Sequence, residues 1–150
     1  MSHNAVKNIR FHYLVNPFYF PGRSQLKIFL LSLFKSEGFG INHINYIFCN
    51  DDYLIEINRR HLRHDTYTDI ITFPYSAKDE PVLSDIYISI SRVRENATSL
   101  NVPFLEELHR VIIHGALHLC GYMDKSKSEM KTIRNKEDHY LKRLVSRGTK

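Results

Sequence analysis

The stretch His114–Asp124, with the sequence HGALHLCGYMD, decides how we expect the chain to fold and where its chemistry lies. The run before it, Phe104–Ile113, has apolar residues at helical spacing and contains no glycine or proline. The two histidines of the stretch therefore lie one turn apart on the same face of a helix. Gly121 allows the helix to end and the chain to turn, which carries Asp124 back toward the two imidazoles.

This pattern predicts a metal site with His114, His118 and Asp124 as ligands. Imidazole nitrogens and a carboxylate oxygen suit zinc best among the common ions, and three protein ligands leave a fourth position for water or substrate. We expect one zinc, or another divalent transition metal, per chain. The spacing matches that of zincin metalloproteases, but Gly115 occupies the position of their general-base glutamate, which argues against a peptidase.

The same residues resemble the signature H-G-x-L-H-L-x-G-Y-D-H of the YbeY-type endoribonucleases, which are also described as rRNA maturation factors. Two further segments resemble that family: TDIITFP at 68–74 and the strand that begins at Ser84-Asp85-Ile86. The resemblance extends from about Asp51 to the C-terminal helix. It implies an α+β fold with a cleft beside the metal helix, and RNA as the substrate.

Two departures from the family pattern bear on the site. The third histidine of the signature is Asp124 here, which keeps a ligand but adds a negative charge. The family arginine that precedes the Thr-Asp pair is replaced by Leu62, although Arg59, Arg60 and Arg63 lie close in sequence.

Basic residues form two clusters that can contact the phosphates of RNA. We take Arg59, Arg60 and Arg63 as the candidates for RNA binding. A second cluster follows the metal segment and contains Lys125, Lys127, Lys131, Arg134 and Lys136. The net charge of +5 permits attraction to a polyanion without requiring it, and either cluster is also consistent with a solvated helix face.

Length and composition indicate a single domain that spans residues 1–150. With 150 residues and 43% hydrophobic content, the chain can bury one core. No apolar run reaches the ~18 residues of a spanning helix and no signal-peptide pattern is present, so we expect a cytoplasmic protein without membrane contact. The two cysteines are too few for a disulfide framework. Nothing in the sequence indicates the oligomeric state.

Hydropathy patterns predict an α+β fold, with one small mixed four-stranded sheet covered by about five helices. Strands are predicted at 9–15, 44–49, 70–73 and 85–90, and helices at 24–36, from 51, at 92–99, from 103 and after 126. Ser126 and Glu129 form a capping box before the last helix. The metal site then lies at the end of the helix that begins near Pro103.

Together with the family resemblance, these features predict a metal-dependent endoribonuclease that cleaves single-stranded RNA in rRNA maturation and ribosome quality control. A zinc-activated water would attack the phosphodiester bond, or it would deprotonate an adjacent ribose 2′-hydroxyl. The expected partners are rRNA or ribosomal particles. Two alternatives stay open: another metal-dependent hydrolase of peptidase type, and a non-catalytic ribosome-binding module, which Leu62 favours.

Overall fold

The computed structural model describes residues 3–62 and 68–148, which form one sheet with its helices. The elements are α1 (His3–Val6), β1 (Ile9–Tyr13), α2 (Arg23–Ser36), β2 (Ile41–Cys49), α3 (Asp51–Ile57), a π-helical turn (Asn58–Leu62), β3 (Ile70–Pro74), β4 (Val82–Ser89), α4 (Ile90–Leu100), α5 (Phe104–Leu119) and α6 (Lys127–Gly148). The predicted α+β class is confirmed. In the described ranges, α2 to α6 are the five helices that have at least seven residues.

The sheet is mixed and has the strand order β1-β2-β4-β3. Its first three strands run parallel, while the edge strand β3 runs antiparallel to β4. Alternate residues of the central strands are fully buried, among them Ile44, Tyr46 and Phe48 on β2 and Ile86 and Ile88 on β4. This alternation gives the sheet one apolar face, onto which α5, the helix with the two candidate histidine ligands, packs.

Helix α5 approaches the sheet closely because a glycine faces it. A Cβ at Gly115 would lie 2.7 Å from Ile70 Cδ1, so no larger residue fits there without movement. On the same helix Leu108, Ile112 and Ala116 are fully buried. The contact fixes the last turn of α5 against β3, and it leaves no room for a glutamate at the position where zincin peptidases carry their base.

Most predicted element boundaries agree with the structure to within a few residues. The main differences are the starts of β2, at Ile41 rather than at residue 44, and of β4, at Val82 rather than at residue 85. Pairing of Ile41 with Val82 extends the ladder beyond the apolar run, with an irregularity in register between Ile41 and His43. Cross-strand pairing therefore set both boundaries, whereas hydropathy did not indicate them.

The longest helix, α6, packs across α5 and begins at the predicted capping box. The Glu129 backbone N–H donates to Ser126 Oγ at 3.1 Å, and the Ser126 N–H donates to Glu129 Oε1 at 2.9 Å. Ile133 and Tyr140 of α6 are buried in the core. Among the described residues, no helix combines the length and apolar character that crossing a bilayer requires.

Candidate metal centre

The end of α5 turns the chain back through a left-handed glycine. Gly121 has φ of 100°, its N–H donates to the His118 carbonyl at 3.0 Å, and the Tyr122 N–H donates to the Leu117 carbonyl at 3.1 Å. These two bonds form a Schellman motif, in which glycine adopts positive φ without a Cβ penalty. The turn brings Asp124 to the face of α5 that carries the histidines.

The three predicted ligands lie together at this helix end. His118 Nε2 is 2.9 Å from His114 Nε2 and 3.2 Å from Asp124 Oδ2. His114 Nε2 is 3.3 Å from the same carboxylate oxygen. The two imidazoles are each 22% exposed and the carboxylate is 42% exposed, so the triangle of ligand atoms is open to solvent on one side. That these residues bind a metal stays a prediction.

The triangle fits a small divalent ion. A tetrahedral zinc ion with ligand distances of about 2.0–2.1 Å separates neighbouring ligand atoms by about 3.3 Å. The observed edges of 2.9, 3.2 and 3.3 Å match the base of such a tetrahedron, with the apex left for water or substrate. Two nitrogen donors also argue against calcium and magnesium, which prefer oxygen ligands.

Glu137 of α6 orients the first histidine. Its Oε2 lies 2.6 Å from His114 Nδ1, and its side chain is only 4% exposed. A carboxylate at this distance accepts the Nδ1 proton, so the lone pair of Nε2 faces the other two ligand atoms. The second carboxylate oxygen accepts from Arg110 at 3.1 Å, which pairs the buried charge.

The same contacts control the protonation of His114. Burial alone would lower its pKa, because desolvation disfavours the imidazolium form. The hydrogen bond and charge of Glu137, with contributions from Asp124 and Asp69, instead raise the pKa of His114 above its ordinary value. A metal ion would replace a proton at Nε2, so we expect metal binding to release protons.

Glu37, at the end of α2, anchors the loop that carries Asp124. Tyr122 Oη donates to Glu37 Oε1 at 2.8 Å, and Lys136 Nζ donates to Oε2 at 3.2 Å. Tyr140 Oη also donates to Oε2. Glu37 therefore joins α2, the return loop and α6 at one point.

A polar cavity of about 280 Å³ opens beside the ligand triangle, between α5 and α6. His114 and Asp124 form part of its wall, together with Asp69 and Glu107. Burial raises the pKa of both Asp69 and Glu107 above the ordinary carboxyl range. A concave polar site that contains candidate metal ligands is the usual form of a substrate-binding cleft.

Of the predicted RNA-binding arginines, the two that the structure describes, Arg59 and Arg60, do not line this cavity. Arg60 lines a separate cavity of about 510 Å³ together with Phe73 and Tyr87. Ile70 packs against α5, and alternate strand residues point to opposite faces, so Phe73 and this second cavity lie on the other face of the sheet. Charge alone does not indicate on which face of a sheet a residue lies.

Arg59 lies on the same π-helical turn as Arg60. Arg59 lies 3.5 Å from Glu56 in an exposed ion pair on the π-helical turn, and Arg60 lies 3.9 Å from the same glutamate. Arg63 lies outside the described residues.

Sequence analysis did not identify Glu137 or Glu37. Glu137 interrupts the apolar stripe of α6 between Ile133 and Tyr140, and a charge within such a stripe indicates a buried partner. That signal was present in the sequence. Glu37 follows α2 as an ordinary polar residue before Gly38, and no local pattern distinguishes it.

Comparison with known proteins assigns the chain to a family. A family model described as Endoribonuclease YbeY matches residues 24–145. The chain is 59% identical over 113 residues to the endoribonuclease YbeY of Flavobacterium psychrophilum, which covers 75% of this chain and 77% of the relative. It is 47% identical over 119 residues to that of Cytophaga hutchinsonii, with 79% and 83% covered.

The fold is shared with a solved structure as well. The solution structure of a Thermotoga maritima protein superposes with a TM-score of 0.66 at 30% identity, and the match covers 94% of this chain and 91% of that one. The ligand triangle lies within the matched region of the family model. This chain belongs to the YbeY family of endoribonucleases.

Proposed function

We propose that this chain is a metal-dependent endoribonuclease that cleaves single-stranded RNA, with rRNA in maturing ribosomal particles as the substrate and zinc as the metal. The observation that carries the proposal is the ligand triangle of His114, His118 and Asp124, two corners of which, His114 and Asp124, line a polar cavity. Membership of an endoribonuclease family supports RNA as the substrate.

The residues of the chain prepare the site for an ion and a phosphodiester. Bound zinc would polarise a phosphoryl oxygen and lower the pKa of a water toward about 7. Glu137 keeps the His114 tautomer that directs Nε2 to the site, and Arg110 donates to the other carboxylate oxygen of Glu137. Asp124 reduces the positive charge of the site relative to a third histidine.

The peptidase alternative has no support in the structure. The position that would carry a general-base glutamate is Gly115, whose Cβ position is blocked by Ile70. A zinc ion that only braces a helix end is usually held by four protein ligands, whereas the candidate site among the described residues offers three and leaves one position open. The geometry therefore favours a catalytic metal over one that only braces the helix end.

One experiment tests the proposal. Metal-loaded protein is incubated with rRNA and with a casein-type substrate, each with and without chelator, and His118→Ala serves as a control. We expect rRNA cleavage that chelator and the substitution both abolish, with intact casein. Cleavage that persists in chelator, or in a metal-free His118→Ala protein, would exclude a metal-dependent reaction.

A further inference from the structure

Two guanidinium groups line the same cavity as the ligand triangle. Among the residues that the structure describes, Arg110 of α5 and Arg134 of α6 share its wall with His114 and Asp124. The remaining charged groups of that wall are the carboxyls of Asp69, Glu107 and Glu137. An RNA phosphate that enters such a cavity meets more acidic than basic groups. Its binding therefore requires a basic side chain that is not already occupied by a carboxylate.

Arg110 is not available to a substrate. Its Nη1 lies 3.1 Å from Glu137 Oε1 and its Nη2 lies 3.1 Å from Asp138 Oδ1. Its side chain is only 22% exposed. Both terminal nitrogens are therefore used to hold α5 against α6 and to pair the buried charge of Glu137.

Arg134 has a different environment in the same wall. Its side chain is 62% exposed, and the ion pair that it makes within the described ranges joins Nε to Glu137 Oε1 at 3.8 Å. The contact engages Nε, and within the described residues the structure records no ion pair of either terminal nitrogen. A guanidinium in this state presents paired N–H groups that match two oxygens of a phosphate.

A short chain of contacts relates Arg134 to the ligand triangle. The carboxylate of Glu137 lies between Arg134 and the candidate ligand His114, because its Oε2 is 2.6 Å from His114 Nδ1. The opposite nitrogen of that imidazole is a corner of the triangle. A phosphodiester bound at the triangle would thus extend along a cavity wall that carries Arg134.

We propose that Arg134 is the residue of this cavity that binds an RNA phosphate at the metal centre. The inference rests on the proposed function only for the identity of the substrate. Arg134 belongs to the second basic cluster of the sequence, and it lies on the same face of the sheet as the triangle, unlike Arg60.

The test compares Arg134→Gln with Lys131→Gln, which removes the same charge from an exposed position of the same helix outside the cavity wall. Binding of a non-cleavable 2′-O-methyl single-stranded RNA is measured against salt concentration, and zinc affinity is measured by chelator competition. We expect Arg134→Gln to weaken RNA binding about tenfold at low salt and to reduce the slope of log affinity against log salt by about 0.7, the value for one contact to a single strand.

A third variant, Arg134→Lys, and the measurement of zinc affinity show whether the effect comes from a phosphate contact of Arg134. Arg134→Lys should keep the salt slope but recover only part of the affinity, since an ammonium lacks the paired N–H geometry. Zinc affinity should stay within twofold of wild type in all three variants. An unchanged salt slope in Arg134→Gln, or an equal loss in Lys131→Gln, overturns the inference. A loss of zinc affinity in Arg134→Gln overturns it too, because Arg134 would then act through Glu137.

Failure of this inference can be told apart from failure of the proposed function. Wild-type protein that cleaves RNA, together with an unchanged Arg134→Gln, overturns the phosphate site alone. Wild-type protein that binds the 2′-O-methyl RNA but cleaves no RNA, together with a reduced salt slope in Arg134→Gln, overturns the nuclease function and supports the phosphate site. Wild-type protein that binds no single-stranded RNA overturns both.

Discussion

The two halves of the candidate metal centre are held in different ways. His114 and His118 project from α5, a helix whose inner face is buried and whose Gly115 packs against the sheet. Asp124 lies beyond the end of the helix, on a loop that depends on the Gly121 turn and on the contact between Tyr122 and Glu37. The helix supplies two ligands at fixed spacing, whereas the third depends on distant parts of the chain.

The contrast shows where we expect substitutions to act most strongly. Loss of a ligand from the helix removes a coordinating atom that nothing nearby replaces. Loss of a support acts only through the position or tautomer of a ligand, so its effect is smaller. The predictions below test this order.

The largest effect should come from His118→Ala. Removal of its Nε2 leaves one imidazole and one carboxylate, which are too few for a stable zinc site. We expect metal content after mild purification to fall to background and RNA cleavage to be lost with it. The helical circular dichroism signal should persist, because His118 is outside the buried core. A zinc-loaded His118→Ala protein would contradict the ligand assignment.

The loop half is tested by Asp124→Ala and Asp124→His. If Asp124 is a ligand, the alanine variant should lose zinc as severely as His114→Ala, and the histidine variant should keep it. The competing interpretation, in which Asp124 caps α6, receives no support from the geometry, because Ser126 Oγ accepts the bond from Glu129 N–H. Zinc content and thermal stability of all three variants decide the matter. Full occupancy in Asp124→Ala would show that the third ligand lies elsewhere.

A smaller effect is expected from Glu137→Gln. The amide keeps the size of the side chain but accepts the His114 Nδ1 proton less strongly, and it cannot pair with Arg110 as an ion. Loss of such a support usually weakens metal binding by about 10–100-fold. Chelator competition measures this, with Asp138→Asn as the control because Asp138 pairs with Arg110 but does not contact His114. Equal losses of zinc affinity in Glu137→Gln and Asp138→Asn would show that both substitutions act through Arg110 and not through the tautomer of His114.

Local sequence was enough to predict the helix half of the site. The spacing of the histidines and the glycine after them are properties of one continuous segment, so helix geometry placed two ligands and indicated the turn. The class of the fold followed in the same way from alternation in the strands and apolar stripes in the helices. The capping box at Ser126 was another local pattern, and its reciprocal hydrogen bonds are present.

The partners of the supporting residues could not be predicted, because they are remote in sequence. Glu37 and Tyr122 are separated by 85 positions, and Glu137 and His114 by 23. Their approach depends on how three helices pack, which no local pattern describes. The position of Arg60 relative to the metal helix likewise depends on the order of strands in the sheet.

The smallest effect on the metal should come from the anchor of the loop. Tyr122→Phe removes the hydrogen bond to Glu37 but keeps the ring and the Gly121 turn. A hydrogen bond to a charged group contributes about 1.5–3 kcal/mol to stability. Only part of this free energy should affect the position of the candidate ligand Asp124. We therefore expect zinc affinity to fall about threefold to tenfold, equivalent to about 1 kcal/mol. A loss of zinc affinity as large as that of Glu137→Gln would show that the loop that carries Asp124 matters as much to the site as the tautomer of His114.

The pH dependence of stability identifies the same anchor independently of any metal. Burial alone would raise the pKa of Glu37, but hydrogen bonds from Tyr140, Tyr122 and Lys136 lower it below the ordinary value of 4.5. A carboxyl group whose pKa is lowered by folding stabilises the folded state above pH 4.5, and the stabilisation disappears as the pH falls through the lower pKa of the folded protein.

Urea unfolding of metal-free Glu37→Gln should therefore show its largest deficit in the free energy of unfolding, relative to wild type, near neutral pH. The deficit should shrink steadily below pH 4.5, because protonation removes from the wild type the same charge that the substitution removes. A deficit that does not change with pH would mean that Glu37 acts by packing, and that Tyr122 is held by the shape of the loop and not by the charge of its partner.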